Sequence, residues 1–496
     1  MQALPTIIIG AGLAGLSAAV ALSAKGERVL LLEKQGYVGG KMREVHVAGR
    51  PVDSGPTVFT MKWVFDRLFE MAGTSVEREL ELDKAETLAR HAWDDTGTFD
   101  LFADSKQSEA EIERFFGPKD AAGFRRFCRD SAQVFDTLKD TYIAASCPSP
   151  TQLAARVGVL KVSKLLNLKP FHTLWRALSE YFPDPRLRQL YGRYATYVGS
   201  SPFLAPATLM LIAHVEQEGV WFVKGGMHRL AKTMANLAEK QGADIRLGCN
   251  IAQVLTKSRK ATGVKLASGE VIEAQKVLYC GDVSRLTQPF INTVAVETAK
   301  VPPSRRSLSA ITWSAHVATS GFDLKRHNVF FSGDYAAEFN QIFKRQQVPS
   351  DPTVYVCAQD RESETDVKLG TPERLLCLIN APAYGDKRQL SDSDVAEHRE
   401  AMRARLSSCG LTLDVDAGVM QPTQPAGFNA LFPSSGGALY GRASHGWTAS
   451  FARPGATTKV RGLYLAGGSV HPGAGVPMAT LSGMLAAEEM IKDRAA

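Results

Sequence analysis

The chain has 496 residues, 45% hydrophobic and 22% charged, with a formal net charge of +7. That length holds two or three cores, and no window approaches the ~20 consecutive apolar residues that span a bilayer. Seven cysteines are scattered without Cys-x-x-Cys pairs, so neither a disulfide framework nor a metal site is expected, and the modest basic excess lacks any nucleic-acid-binding motif. The chain enters its first apolar run within five residues, which predicts no signal peptide and a cytoplasmic location.

Ile7-Ile8-Ile9 runs as an apolar strand into Gly10-Ala11-Gly12-Leu13-Ala14-Gly15. A helix pattern follows from Leu16 to Ala24, then a second apolar run, Val29 to Leu32, ending in Glu33. In such a strand, turn, helix and strand, Gly10 permits the tight turn, Gly12 admits a pyrophosphate and Gly15 lets helix and strand pack closely. The helix start offers N–H groups to the phosphates, and Glu33 stands where a carboxylate accepts ribose hydroxyls. This predicts a bound dinucleotide.

Residues 61–215 read as largely helical, with proline-rich breaks at 148–150 and 183–185. Between Thr141 and Ser179 there is no acidic residue, while Arg156, Lys161, Lys164, Lys169, His172 and Arg176 interleave with apolar positions at helical spacing. Pro170 divides the stretch into two short helices. A basic amphipathic pair suits an anionic membrane surface; a lid with its apolar face on the protein and a solvated basic side reads equally from the pattern.

Trp221 to Met227 then turns from strand into a helix over His228 to Lys240. Short strands follow at Asp244 to Leu247 and Ile251 to Leu255, a hairpin turns near Gly269, and Val277 to Asp282 closes a further strand. From 305 to 383 the period becomes two, and Thr312, Ser314 and His316 alternate with Ile311, Trp313 and Ala315, as in an antiparallel sheet. Near the end, Leu463 to Ala466 closes on Gly467-Gly468, followed by His471-Pro472-Gly473-Ala474-Gly475-Val476-Pro477 and a helix-like run. His471 has two open readings, acid/base chemistry or packing of the Pro-Gly turn.

Gly39-Gly40-Lys41 and Asp53-Ser54-Gly55-Pro56-Thr57 resemble the extended fingerprint of FAD-binding flavoproteins of the amine oxidase and phytoene desaturase superfamily. Ser469 to Pro477 is similar to the C-terminal flavin segment of carotenoid desaturases. Asp184 to Leu187, Tyr191 to Gly199, Asn328 to Phe331, Tyr355 to Arg361, Gly437 to Gly441 and Pro472 to Ala479 extend the likeness over nearly the whole chain. They resemble the branch acting on hydroxylated or methoxylated acyclic carotenoids, the hydroxyneurosporene or methoxyneurosporene dehydrogenases (1-hydroxycarotenoid 3,4-desaturases).

The resemblance implies an α/β fold: a Rossmann-type FAD-binding domain, an antiparallel-sheet substrate domain and a helical membrane-facing lid. These are expected at 1–75 plus 216–290 plus 455–496, at 291–454 and at 76–215. It implies FAD bound by Gly10, Gly12, Gly15, Glu33, Gly40, Lys41, Gly55, Pro56, Gly467, Gly475, Val476 and Pro477, with Val254 beside the adenine or purely structural. It further implies an enzyme on the inner membrane that docks through 141–179, with a membrane-dissolved acyclic carotenoid as substrate and oxygen or a quinone as electron acceptor. Phytoene or neurosporene desaturation, carotenoid isomerisation and non-redox lipid escort are the rival readings.

Overall fold

The computed structural model describes residues 4–94, 97–158, 169, 171–293, 295–296, 301–361, 367 and 370–495. The strand Thr6–Ile9 lies at the centre of a five-stranded parallel sheet. Ile8, with Leu31 and Leu278, faces the helices, whereas Ile7 and Ile9 join Leu30, Leu32, Val277 and Tyr279 in a second core. Both faces are apolar because both are covered, as a parallel sheet requires.

Across this sheet the strands run Asp244–Arg246, Val29–Leu32, Thr6–Ile9, Lys276–Tyr279 and Leu463–Leu465. In chain order that is 3-2-1-4-5, so the strand order reverses between Thr6–Ile9 and Lys276–Tyr279. Ligands bind doubly wound sheets at the carboxyl ends of the strands at such a reversal. The helix Leu13–Ser23 is buried on every side, since His228–Lys240 and Val476–Ala495 both pack on it. Gly483 makes the second crossing possible: a Cβ there would lie 2.1 Å from the Ala14 carbonyl oxygen. Ser17 Oγ donates to the Thr480 carbonyl at 2.9 Å across the same crossing.

A seven-stranded sheet forms the other half, in the order Val419–Thr423, Ser309–Val317, Glu373–Ala381, Val354–Ala358, His327–Phe330, Thr87–Ala92 and Thr98–Phe102. The alternation from 305 to 383 is realised: Ile311, Trp313, Ala315 and Val317 enter one core. Thr312 and Ser314 face the opposite side and are also buried. Two of its strands come from the stretch expected to be helical. Thr87–Ala92 is held as a strand by parallel pairing with His327–Phe330, Asn328 opposite Arg90. A partner so far along the chain leaves no local signal.

The helices Ser105–Phe116, Pro118–Leu138 and Leu211–Glu218 cover this side. In the basic stretch, Pro150–Val157 carries a Ser149/Gln152 capping box, and Thr173 caps Leu174–Leu178. Leu174, Ala177 and Leu178 are buried against the protein, while Phe171 is 76% exposed. Lys161, Lys164 and Pro170 lie outside the described residues. Among the described residues no helix is long and apolar enough to cross a membrane.

Candidate functional site

Three neighbouring parallel strands end side by side at Gly10, Cys280 and Gly467. The Cys280 N–H donates to the Ile9 carbonyl at 3.0 Å, and the Ala466 N–H to the Tyr279 carbonyl at 3.0 Å. Gly10 at φ +105° and Gly467 at φ +121° adopt conformations that favour glycine. Gly15 is fixed by packing, because a Cβ there would sit 1.9 Å from the Gly10 carbonyl oxygen.

Gly12 is different. Its φ is −74°, and the nearest atom to a Cβ would be Gly40 Cα at 3.9 Å. The protein itself leaves that space open, directly before the start of Leu13–Ser23. That helix has no side-chain cap and no acidic residue in its first turn, so its dipole and free N–H groups face the space without a protein anion. Such a space is chemically suited to a phosphate group.

The Gly39-Gly40 turn closes on the same place. The Gly39 N–H donates to the Ala11 carbonyl at 2.7 Å, and a Cβ on Gly40 would lie 3.0 Å from Gly12 Cα. Lys41 Nζ donates to the Leu439 carbonyl and stands 5.4 Å from the Phe432 ring centroid. Burial pushes its pKa down to about 8; Asp282 opposes that shift and Arg453 adds to it. A Cβ on Gly55 would lie 1.9 Å from the Lys41 carbonyl oxygen, which sets Gly55-Pro56-Thr57 against this turn.

Glu33 ends the strand Val29–Leu32 and accepts from the Ala11 N–H at 2.8 Å and the Gln35 N–H at 2.8 Å. About half of a carboxylate's roughly four acceptor positions are thereby used, and the others are left to accept from further donors. Val254 lies apart from the glycine turns. Fully buried in the core beneath the sheet, it donates its N–H to the Phe290 carbonyl at 2.8 Å.

At the far end, Gly475 at φ +123° precedes the helix Val476–Ala495, whose first residues, Val476 and Pro477, are buried. Ser482 Oγ accepts from the Gly467 N–H at 3.0 Å and donates to the His471 carbonyl at 2.8 Å, fastening this segment. His471 itself is 3% exposed. Its Nε2 donates toward the carbonyls of Tyr142 and Ala145, each at 3.0 Å, and burial pushes its pKa down to about 4. A neutral ring held by two carbonyls staples the turn to residues 142–145, which is the packing role of the two sequence readings.

Sequence reasoning missed several residues. Arg453 is buried and donates to the carbonyls of Tyr440, Arg442 and Gly468, the last at 2.6 Å. Asp53 accepts the N–H groups of Met227 at 2.6 Å and His228 at 3.2 Å, at the start of the helix His228–Lys240. Gln359 bonds both the N–H and the carbonyl of Asp53, at 2.9 and 2.8 Å, and so ties this segment to the large sheet. The Asp53 contacts join segments 174 to 306 residues apart, and Arg453 gathers carbonyls 11 to 15 residues away, none of which has a residue signature of its own.

A second cluster adjoins the first. Thr57 Oγ1 and the Tyr355 hydroxyl are 2.7 Å apart, and the same hydroxyl lies 2.7 Å from His327 Nδ1. The Arg193 guanidinium stands over the rings of Tyr355 at 5.2 Å and Tyr197 at 5.3 Å. Cys280, Lys41, Tyr355, Tyr440, Arg193 and Tyr197 all keep accessible surface although protein surrounds them. Their residual surface is internal, at Cys280 and Lys41 beside the glycine turns and at Tyr355 on the large sheet.

Comparison with known proteins agrees with this geometry. Residues 13–491 match the model of the flavin containing amine oxidoreductase family. The chain is 50% identical over 489 residues to a hydroxyneurosporene desaturase of Rubrivivax gelatinosus, covering 98% of this chain and 93% of that one. It is 31% identical over 486 residues to a 1-hydroxycarotenoid 3,4-desaturase of a Flavobacterium species, covering 97% of this chain and 98% of that one. Among solved structures, a triple mutant of putrescine oxidase made in a redesign of its cofactor binding superposes with a TM-score of 0.65 at 14% identity. That alignment covers 99% of both chains and shows the fold. The cofactor is FAD, and the open space before Gly12, the Lys41 cation and the Glu33 carboxylate are chemically suited to it. The chain belongs to the flavin containing amine oxidoreductase family, in its carotenoid desaturase branch.

Proposed function

We propose that this enzyme introduces the 3,4 double bond into 1-hydroxy or 1-methoxy acyclic carotenoids such as hydroxyneurosporene, in carotenoid biosynthesis. The observation that carries the reading is the near-full-length 50% identity to a hydroxyneurosporene desaturase. The aromatic-lined space beside the dinucleotide turns supports it.

Gly10, Gly12 and Gly15 shape the turn that admits the pyrophosphate, Gly40 and Lys41 face it, and Glu33 accepts from the ribose. Gly55, Pro56, Gly467, Gly475, Val476 and Pro477 surround the flavin end, and Val254 packs beneath the adenine side. Residues 1–75, 216–290 and 455–496 form the FAD-binding unit, 291–454 the substrate sheet and 76–215 the lid, which lends that sheet its last two strands.

Desaturation takes a hydride and a neighbouring proton from a CH–CH unit; FAD, when bound, would accept the hydride, and the proton would pass to a base. The chain's own residues hold the polyene end still, exclude water and face the carbon that loses hydride with electron-rich rings. Tyr197, Tyr355 and Tyr440 are suited to this by their place along the internal space. The electrons pass on to oxygen or a membrane quinone.

The enzyme is peripheral to the cytoplasmic side of the inner membrane. Phe171 at 76% exposure and Trp447 at 46% meet edge to face at 5.8 Å, and Leu204 is 45% exposed. Lys169 and Arg176 lie in the same stretch as Phe171. Replacing Phe171 and Trp447 by serine weakens sedimentation with anionic liposomes, and unchanged sedimentation moves the docking surface elsewhere.

The function is tested by giving the FAD-loaded enzyme 1-hydroxyneurosporene and phytoene in liposomes and weighing the products. Loss of two hydrogens from the hydroxylated substrate alone is expected. Conversion of phytoene places the enzyme at an earlier desaturation.

A further inference from the structure

Arg193 begins a short 3-10 segment, Arg193–Val198, after the helix Pro185–Gly192. Among the described residues its guanidinium has no carboxylate partner. One N–H donates to the Tyr197 hydroxyl at 3.2 Å, and that phenol separates it from Glu216, whose carboxylate also accepts from the Tyr194 hydroxyl at 2.6 Å. A guanidinium carries five N–H donors in a planar fork. Here the fork faces aromatic rings and internal space, so most of its donors lack a protein acceptor.

A neighbouring phenol carries the same polar imbalance. The hydroxyl of Tyr335 is buried with no hydrogen-bond partner, and the residue is 5% exposed. The Arg193 charge acts on Tyr335 as well as on Tyr355 and Tyr440. Donors without a protein acceptor in an aromatic enclosure are unfavourable unless water or a ligand oxygen completes them. A purely hydrocarbon ligand leaves them unmatched.

We propose that Arg193 binds the oxygen on C1 of the carotenoid and so sets the preference for hydroxylated or methoxylated ends. The inference rests on the function proposed above and deepens it. A C1 oxygen stands three bonds from C3, roughly 3–4 Å by ordinary bond lengths, so its receptor must share the compartment of the reacting bond. Arg193 meets that requirement: it stacks on Tyr355, Tyr355 bonds Thr57, and Thr57 follows the Gly55-Pro56 pair set against Lys41. Hydroxyl and ether oxygens both accept from an N–H, which lets one receptor serve both end groups. A site with unmet polar groups discriminates strongly against the analogue that lacks the partner atom.

The test compares wild type, Arg193→Met and Arg193→Lys, each loaded with FAD, against 1-hydroxyneurosporene and neurosporene. Equilibrium binding is read by quenching of protein fluorescence, and turnover by product mass; retained flavin absorbance and melting temperature report folding. Arg193→Met is expected to weaken binding of the hydroxylated polyene about 10- to 100-fold, in the range of a charge-assisted hydrogen bond, and to leave neurosporene binding within about threefold. Arg193→Lys keeps the charge without the fork and falls between. Equal loss for both polyenes, or an undiminished preference in Arg193→Met, overturns the proposal. If wild type prefers the hydroxylated polyene through Arg193 yet desaturates neither, the proposed reaction fails and the oxygen receptor stands.

Discussion

The two ends of the internal space are built by different means. At the parallel-sheet end the backbone makes the site: Gly10, Gly12, Gly40 and Gly467 bring main chain close to main chain. At the antiparallel-sheet end side chains make it, with Arg193, Tyr335, Tyr355 and Tyr440 arriving from four separate segments. A backbone site fails all at once when a Cβ intrudes. A side-chain site changes its preference while the fold persists.

The largest effect is expected where glycine serves packing. Gly15→Ala forces a Cβ within 1.9 Å of the Gly10 carbonyl oxygen, and since neither backbone has a flexible end the loss reaches at least ~3 kcal/mol of stability. Gly12→Val, three residues earlier, separates cofactor binding from packing within one turn. The Cβ it adds finds its nearest neighbour, Gly40 Cα, at 3.9 Å, so the flavin-free protein is expected to keep its melting temperature while FAD affinity falls by at least ~100-fold, about 2.7 kcal/mol. Equal melting losses in the two variants contradict the assignment of the open space to the cofactor.

Lys41→Met comes next, with FAD binding weakened about 10- to 100-fold through loss of a charge-assisted contact. The pH dependence follows from its lowered pKa of about 8. A bound pyrophosphate favours the charged form and raises that pKa, so affinity is full below about pH 8 and declines as pH rises through it. Titration of flavin fluorescence between pH 6 and 10 shows the decline in wild type and a flatter profile in Lys41→Met.

The smallest effect belongs to His471. Its folded pKa of about 4 lies below the ordinary ~6.5 of histidine. Its contribution to stability is therefore present above about pH 6.5 and lost as pH falls toward 4. His471→Asn, which keeps an N–H donor, retains turnover; His471→Ala loses ~1–3 kcal/mol by orphaning the carbonyls it holds. A neutral-pH break in the turnover profile that vanishes in His471→Asn restores the acid/base reading.

The same contrast decides what the sequence made legible. Gly10, Gly12, Gly15 and Glu33 lie within one strand, helix and strand unit, and their spacing alone determines that they meet. The alternation over 305–383 likewise reports a local period of two. The strand Thr87–Ala92 was illegible because its partner, His327–Phe330, is remote in sequence. Gln359 is illegible for that reason too, whereas the partners of Arg453 are near in sequence but are main-chain groups, which carry no residue signature. Arg193 stood in a segment that resembled carotenoid desaturases, yet only the fold sets its guanidinium over Tyr355 and near the Gly55-Pro56 pair.

The most direct test mixes the FAD-loaded enzyme anaerobically with one equivalent of 1-hydroxyneurosporene in liposomes and follows flavin absorbance and carotenoid mass together. Flavin-dependent 3,4-desaturation predicts one flavin bleached for each product molecule two hydrogens lighter, and restored absorbance when oxygen or a quinone is added. A bound carotenoid beside an unbleached flavin, with its mass unchanged, contradicts it.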